Sequence, residues 1–262
     1  MPDRHSERNR SVPSVLCVHA HPDDEALFTG GVLARTAEDG GRTAVVTCTW
    51  RDGSRRVDEL RRSLQILGAG EPRLLGYTDY AFDDGVKFCE APFDEAVGKV
   101  VGHIRSFRPD VVVTYDAFGS YGHPDHVHAH RVTIAAVEAA SHPQLYPDSG
   151  EPWAASHLCF ATFPRSAVEG MWASLFGGSA PPPGPGIPGV DDHLVTVTVD
   201  VGAWFETKWA AFSAHESEIE RGGGASRFAA MDDADRRAAL GTEWFVHRSL
   251  MGRAQVDPFR SS

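Results

Sequence analysis

The sequence has few cysteines, no long apolar run and fewer basic than acidic side chains. Its four cysteines form no C-x-x-C pair, so they signal neither a disulfide framework nor a cysteine-based zinc site. No stretch approaches the roughly 18 apolar residues that a membrane span needs, and the polar N-terminal segment contains no apolar signal region. We therefore expect a cytoplasmic protein without a membrane partner.

The charge balance disfavours a second class of partner. With 25 Lys and Arg against 36 Asp and Glu, the formal net charge is −11, which opposes binding to nucleic-acid phosphates. The 262 residues are 42% hydrophobic and 23% charged, as in an ordinary globular protein of one large or two small domains. We expect a small-molecule partner and no nucleic acid, and the composition indicates no particular oligomeric state.

Strand patterns alternate with helix patterns along most of the chain. The predicted strands cover residues 14–20, 43–49, 73–77, 111–115, 158–162 and 194–199. The predicted helices cover residues 24–38, 57–67, 93–107, 127–140, 204–215 and most of 232–249. This alternation predicts right-handed βαβ crossovers, and hence a Rossmann-like α/β fold whose mostly parallel sheet has helices on both faces.

The C-terminal third is less regular. The Pro/Gly-rich stretch 177–189 can be neither a helix nor a central strand, and we interpret it as a loop at the rim of an active site. The segment RGGGAS (221–226) predicts a mobile loop. We expect a disordered N-terminal tail over 1–12 and a single domain over 13–255.

Two His-Pro-Asp clusters follow predicted strands. The segment AHPDDE (20–25) comes directly after the first strand, and YGHPDH (121–126) lies a few residues past the fourth. The carboxyl ends of parallel strands form the edge at which open α/β sheets bind ligands, so the two clusters can converge. A helix N-terminus with Pro and acidic residues would explain the first cluster alone, but not the paired histidines or the second cluster.

The residue types in these clusters suit a divalent metal. His21, Asp24 and His126 would supply two imidazole nitrogens and one carboxylate oxygen, and would leave positions open for water and substrate. A zinc ion there would make a bound water acidic near neutral pH and would polarise a substrate carbonyl. Asp23 would then accept the proton of that water. The same donor set also occurs in non-haem Fe(II) oxygenases, which remain an alternative.

The clusters and two further patterns resemble a known family. The segments that carry the resemblance are AHPDDE (20–25), YGHPDH (121–126), Thr114 with Asp116, and the K-x6-H pattern of Lys208 and His215. Over roughly residues 14–250 the chain resembles the LmbE-like, or PIG-L, family of metal-dependent N-deacetylases, which includes the mycothiol-biosynthetic deacetylase and the mycothiol S-conjugate amidase. The resemblance implies hydrolysis of an N-acyl amide, most often the acetamide of an N-acetylglucosamine unit, with Zn²⁺ or with Fe²⁺ or another divalent ion.

The resemblance also implies roles for individual residues. It assigns the metal to the three ligands already named and the general base to Asp23. Tyr121 and His123 would face the scissile amide, where they would steady the oxyanion or protonate the departing amine. Asp125 would orient His123.

Substrate contacts are implied at two further positions. Arg56 matches an arginine that reaches a polar group of the substrate in relatives. Asp83 lies in a loop where relatives place a sugar-contacting aspartate, and Asp84 is an equally good occupant of that position. Two departures bear on substrate identity: Trp50 stands where mycothiol-handling relatives have a Gly/Glu-rich loop, and residues 215–218 read His-Glu-Ser-Glu where relatives tend to have Gln.

The leading hypothesis is therefore a zinc-dependent hydrolase that cleaves an N-acetyl amide of an amino-sugar conjugate. The alternative outside enzymology is a metal-dependent sugar-binding protein on the same fold that has lost turnover. Retention of Asp23, Tyr121 and His123 favours the enzyme, because a pure binder has no use for a base beside the metal.

Overall fold

A computed structural model describes residues 12–175, 189–251 and 258–260. The expected N-terminal tail lies outside these ranges except for Val12, and so does the Pro/Gly-rich stretch except for Gly189. In the described ranges, no helix is both long enough and apolar enough to cross a lipid bilayer.

Seven strands form one sheet. They are β1 (Val15–His19), β2 (Thr43–Thr49), β3 (Arg73–Tyr77), β4 (Val111–Tyr115), β5 (His157–Thr162), β6 (Val197–Asp200) and β7 (Thr242–Ser249). Their order across the sheet is β3-β2-β1-β4-β5-β7-β6. The first five strands run parallel, and β7 pairs antiparallel with both β5 and β6, so the prediction of a mostly parallel sheet is confirmed.

Helices cover the sheet. They are α1 (Asp24–Glu38), α2 (Arg55–Ile66), α3 (Phe93–Phe107), α4 (Gly119–Gly122), α5 (Pro124–Ala140), α6 (Arg165–Leu175), α7 (Phe205–Ser213), α8 (Glu216–Arg221), α9 (Gly224–Ala230) and α10 (Asp233–Leu240). Helix α7 packs on α1 and α2, whereas α3 packs on α5. These two helical layers leave every residue of β1, β2 and β4 buried, which is why those strands read as continuous apolar runs.

The strand order creates a switch point between β1 and β4. From β1 the chain proceeds outward to β2 and β3, and then returns to the other side of β1 to form β4. The two connections leave the sheet in opposite directions, which opens a crevice at the carboxyl ends of β1 and β4. Both His-Pro-Asp clusters follow these two strands.

The helix predicted over most of 232–249 is wrong beyond Leu240. Helix α10 ends there, and β7 begins after Gly241. In β7 the buried residues are Glu243, Phe245 and His247, with less buried residues between them, which is the period of two of a strand. The local sequence pattern did not predict this strand. Its hydrogen-bond partners are β5 and β6, which come from distant parts of the chain.

Two smaller boundaries also differ from the predictions. The strand expected over 194–199 begins only at Val197, because a short 3₁₀ turn occupies Asp192–Leu194. The loop expected over 221–226 is shorter, since only Gly222 and Gly223, with φ of 93° and 83°, separate α8 from α9. Two glycines suffice for this left-handed reversal.

Candidate metal centre and active site

The N-terminal turns of two helices meet at the crevice between β1 and β4. Asp24 is the first residue of α1, and Asp125 and His126 lie in the first turn of α5. Pro124 is favourable at this start, and His123 caps the helix by accepting the N–H of Asp125. The two helix starts thus bring together, in one small volume, side chains from segments that are about a hundred residues apart in the chain.

Three donor atoms converge there at nearly equal distances. His21 Nδ1 lies 3.3 Å from Asp24 Oδ2 and 3.2 Å from His126 Nε2, and His126 Nε2 lies 3.5 Å from Asp24 Oδ2. In a tetrahedral zinc site with bonds of about 2.0–2.1 Å, donors are about 3.3 Å apart. The three predicted ligands therefore fit a metal ion without rearrangement.

The electrostatics of the cluster also favour a cation. Burial raises the pKa of Asp24, but His126 and His21 outweigh it and hold that pKa well below its usual range. Burial lowers the pKa of His21, but Asp125 and Asp24 outweigh it and raise that pKa to about 10. The acidic groups thus stabilise positive charge between the donor atoms, and a divalent ion supplies such charge.

Tyr115, the last residue of β4, supports two of the donors. Its hydroxyl donates to Asp24 Oδ2 at 2.6 Å and accepts the N–H of Ala20 at 2.7 Å. Its ring stacks on His126, with centroids 4.0 Å apart and planes 10° from parallel. Sequence reasoning did not single out Tyr115, although its position at a strand end was a usable signal.

Asp125 contacts a different histidine from the one expected. Its carboxylate accepts hydrogen bonds from His21 Nε2 at 3.1 Å and from the N–H groups of Tyr80 and Cys89, both at 2.9 Å. Asp125 contacts His123 only through its backbone N–H, which donates to His123 Nδ1 at 3.2 Å. Asp125 therefore orients the predicted metal ligand His21 through its side chain, because its carboxylate in the first turn of α5 lies within hydrogen-bond distance of the His21 ring.

The backbone contact fixes the protonation of His123. Since its Nδ1 accepts the Asp125 N–H, the neutral ring carries its proton on Nε2. Burial and the neighbouring His21 and His126 lower the pKa of His123 to about 4, so the ring is neutral near pH 7. His123 can thus donate a hydrogen bond from Nε2 into the crevice.

Asp23 stands beside the cluster with an unusual backbone. Its φ of 116° lies in a region that residues with a Cβ rarely adopt, and Glu25 accepts its N–H at 2.9 Å. Burial and the adjacent Asp24 raise the pKa of Asp23 to about 7, whereas Arg56 opposes that rise. A carboxylate with a pKa near neutrality suits a general base.

A cavity of about 650 Å³ opens over the cluster. Among its lining residues are six of the predicted site residues: His21, Asp23, Asp24, Arg56, Tyr121 and His123. Tyr121 is about half exposed, and its ring centroid lies 5.0 Å from that of His126. His126 and Asp125 are fully buried beneath this cavity.

Arg56 lies in the cavity wall and is already engaged. Its guanidinium donates to the Pro22 carbonyl at 2.5 Å and to Glu218 at 2.6 Å, and Asp23 Oδ1 lies 3.5 Å away. The ring of Trp50 lies 5.5 Å from the guanidinium carbon. Trp50 and Glu218 therefore converge on this arginine, and each comes from one of the two segments that we expect to bear on substrate identity.

The structure places Asp83 outside the cavity and Asp79 within it. The Asp83 side chain is 91% exposed and pairs with Lys87 at 2.7 Å. Asp79 is buried, lines the cavity and has a carboxylate oxygen within 4.8 Å of a ring nitrogen of His123. Asp79 follows the carboxyl end of β3, so the rule that located the two His-Pro-Asp clusters would also have found it.

The K-x6-H residues form buried contacts with β7 and α1 rather than lining the cavity. Lys208 forms a buried ion pair with Glu243 at 2.7 Å. His215 Nε2 lies 2.7 Å from Glu25 Oε1, the neighbour of Asp24. The His215 contact holds the first turn of α1 in place.

The T-x-D residues divide between the core and the loop that leads to the second cluster. Thr114 is buried within β4. Asp116 accepts the N–H groups of Phe118 and Ser120 and the hydroxyl of Thr162. It therefore shapes the turn that precedes Tyr121.

The fold and the site together define a Rossmann-like α/β protein whose crevice carries a His/Asp cluster able to bind a metal. Residues 16–137 match the family model described as PIG-L: GlcNAc-PI de-N-acetylase. Over 93% of its length, the chain is 36% identical to 94% of the 1D-myo-inositol 2-acetamido-2-deoxy-alpha-D-glucopyranoside deacetylase of Rhodococcus jostii (strain RHA1). The chain therefore belongs to the PIG-L family, and it is a hydrolase of the deacetylase type.

Solved structures share the fold. The conserved protein TT1542 from Thermus thermophilus is 26% identical, with a TM-score of 0.63 over 93% of this chain and 97% of that one. The N,N'-diacetylchitobiose deacetylase from Pyrococcus horikoshii is 20% identical, with a TM-score of 0.63 over 93% of this chain and 87% of that one. At this identity the second likeness concerns the architecture alone.

Proposed function

We propose that this chain hydrolyses the N-acetyl amide of an N-acetylglucosaminyl conjugate, with a zinc ion held by His21, Asp24 and His126. The observation that carries the proposal is the triangle of donor atoms with edges of 3.2, 3.3 and 3.5 Å. Fe²⁺ or another divalent ion would suit the same donors. The Rhodococcus jostii relative, named for a 2-acetamido-2-deoxy-glucopyranoside of inositol, supports an amino-sugar substrate with a polar aglycone.

Asp23 is the general base in this proposal. A zinc ion held in the site would act as a Lewis acid toward the amide carbonyl and would lower the pKa of a water molecule toward neutrality. Asp23 accepts the proton of the attacking water, whose oxygen forms a bond to the carbonyl carbon. The Glu25 contact to its N–H and the nearby Arg56 hold the carboxylate at the cavity wall.

His123 and Tyr121 act on the other side of the amide. We assign the hydroxyl of Tyr121 to the developing oxyanion, and the Nε2–H of His123 donates a hydrogen bond to the departing nitrogen. As the C–N bond breaks, the nitrogen takes up the proton that Asp23 accepted from the water, and the products are acetate and a free amino sugar. Asp125 does not touch the substrate, because its carboxylate is occupied by His21 and two backbone N–H groups.

Arg56 and Asp79 are the proposed contacts for sugar hydroxyls, whereas the position of Asp83 does not support the contact implied for it. Strands drawn from residues 15–249 form one sheet, which supports a single catalytic domain over 13–255. The cytoplasmic location and the lack of a nucleic-acid partner remain predictions from composition and charge.

An amine-release assay tests this function. Metal-free protein is supplied with Zn²⁺ or Fe²⁺ and is offered a panel of N-acetylglucosaminyl conjugates, with acetate and free amine as readouts. We expect metal-dependent release of both products in equal amounts without oxygen. Saturable sugar binding without amine release would favour the non-catalytic alternative, and turnover that requires oxygen would favour an oxygenase.

A further inference from the structure

The cavity over the metal cluster has two chemically different sides. Its polar side carries Asp79, Arg56 and Glu218. Its apolar side carries six residues from α1, the end of β5 and α6: Leu27, Phe28, Phe163, Val168, Met171 and Trp172. Helices α7 and α9 add three further apolar residues to the cavity lining: Phe212, Ala225 and Phe228. An apolar wall of this extent is unexpected if the substrate is only a hydroxyl-rich sugar with an acetyl group, whose single methyl group covers little of it.

The strand order separates the two sides. Along the carboxyl edge of the sheet the order is β3-β2-β1-β4-β5, and the metal cluster lies over β1 and β4. Asp79 and Arg56 follow β3 and β2, on one side of the cluster. Phe163 and the residues of α6 follow β5, on the other side. A substrate amide at the cluster therefore has a polar neighbour in one direction and an apolar neighbour in the other.

The position of His123 indicates which half of the amide faces which side. His123 is the proposed donor to the departing amine, and its ring nitrogen lies within 4.8 Å of Asp79. The amine, which carries the sugar, therefore leaves toward the polar side. The acyl group, bonded to the other side of the carbonyl carbon, points toward β5 and α6.

The apolar wall begins directly beside the cluster. The ring centroid of Phe28 lies 6.1 Å from that of His126 and 5.6 Å from that of Phe163. Phe28 and Val168 are buried, so this wall is a formed surface rather than a set of exposed side chains. The cavity volume of about 650 Å³ lies in the range that encloses a ligand considerably larger than one monosaccharide.

We propose that this wall is an acyl subsite, and that the chain prefers N-acylglucosaminyl substrates with an unbranched apolar acyl chain longer than acetyl. This inference rests on the proposed amidase function and extends it to the acyl group. The reaction is the same hydrolysis: water adds to the carbonyl carbon, the C–N bond breaks, and a medium-chain carboxylate is released with the amino sugar.

The test is a series of N-acylglucosamines from acetyl through butanoyl and hexanoyl to octanoyl, assayed by amine release with Zn²⁺ supplied. Each buried methylene contributes about fourfold in affinity, so we expect kcat/KM to rise at least tenfold from acetyl to hexanoyl. Methyl and octyl glycosides of N-acetylglucosamine form the second arm, because they place the apolar chain on the aglycone. In this arm we expect a change of less than threefold.

A charge placed in the wall tests the location. Met171→Asp should lower the ratio of hexanoyl to acetyl kcat/KM about tenfold, because a carboxylate opposes burial of the chain. Glu169→Lys changes the charge at an exposed position of the same helix and should leave that ratio unchanged. The wild-type acyl series does not depend on the folding of either variant.

The outcomes separate this inference from the function on which it rests. A flat or falling acyl series, with acetyl hydrolysed, would overturn the acyl subsite alone. A gain only with the octyl glycoside would also overturn it, because the wall would then receive the aglycone. If no N-acyl compound releases an amine while the metal is bound, the amidase function itself would be overturned.

Discussion

His21 Nε2 donates a hydrogen bond to Asp125 Oδ2 at 3.1 Å, which joins two motifs that are 104 residues apart in the chain. The other ring nitrogen, Nδ1, faces Asp24 and His126, and it would offer a lone pair to a metal ion that displaces its proton. The buried Asp125 thereby keeps a proton on Nε2 and orients the ring of His21, a proposed metal ligand.

Asp125→Asn should therefore weaken metal binding by about 10- to 100-fold, because the amide cannot hold the imidazole as strongly as a carboxylate does. Zinc affinity measured by competition with a chromogenic chelator checks this prediction. Asp84→Asn, at an exposed position in the loop after β3, serves as the control. Equal affinities in Asp125→Asn and wild type would show that the hydrogen bond has no part in metal binding.

His126→Ala should abolish most metal occupancy, since it removes one of three protein donors. Metal content is measured after chelation and reloading with a stoichiometric amount of Zn²⁺. The control is His142→Ala, which removes an exposed histidine just past the end of α5. Wild-type occupancy in His126→Ala would contradict the ligand assignment.

Asp23→Asn should retain the metal and lose about 10²- to 10⁴-fold in kcat, because an amide cannot accept the proton of the attacking water. Metal content and kcat are measured on the same preparation. Asp83→Asn is the matched control, since its carboxylate pairs with Lys87 outside the cavity and should not affect turnover. A near-normal kcat in Asp23→Asn would mean that another group is the base.

Lys208→Met should destabilise the protein by about 3 kcal/mol, because it leaves Glu243 as a buried charge without its cationic partner. Urea unfolding measures the loss. The double variant Lys208→Met with Glu243→Gln should recover part of it, which would identify the uncompensated charge as the cause. A single variant as stable as wild type would show that the ion pair contributes nothing.

We expect His103 to reduce the free energy of unfolding as the pH is lowered into the acid range. Burial, aided by Arg73, lowers its pKa from 6.5 to about 4 in the folded protein. Between these values the unfolded chain binds a proton that the folded protein does not, so stability present above pH 6.5 is lost as the pH falls toward 4. Linkage gives a loss of about 1–2 kcal/mol from about pH 8 to about pH 5. In urea unfolding at these two pH values, His103→Gln should lose less stability than wild type. An equal loss in the two proteins would contradict the prediction.

Local patterns predicted most of the sheet. The bounds of α1, β2, β3, α3 and β4 match the predicted ranges residue for residue, because each is a continuous apolar or amphipathic run that ends at a Pro, Gly or polar turn. The strand β7 was missed, since its partners β5 and β6 are supplied by tertiary pairing. Helix α9 was missed because a run of three glycines predicts a loop, whereas only the first two form the turn and the third begins the helix.

The sequence by itself determined where the chemistry lies. Two His-Pro-Asp clusters at the ends of parallel strands must share one edge of the sheet, because parallel strands all point the same way. Only the tertiary structure decided which partner each side chain meets: Asp125 contacts His21 rather than His123, and Asp79 rather than Asp83 enters the cavity. Spacing along a helix or strand determines which face a side chain occupies, whereas contacts between segments a hundred residues apart depend on how those faces pack together.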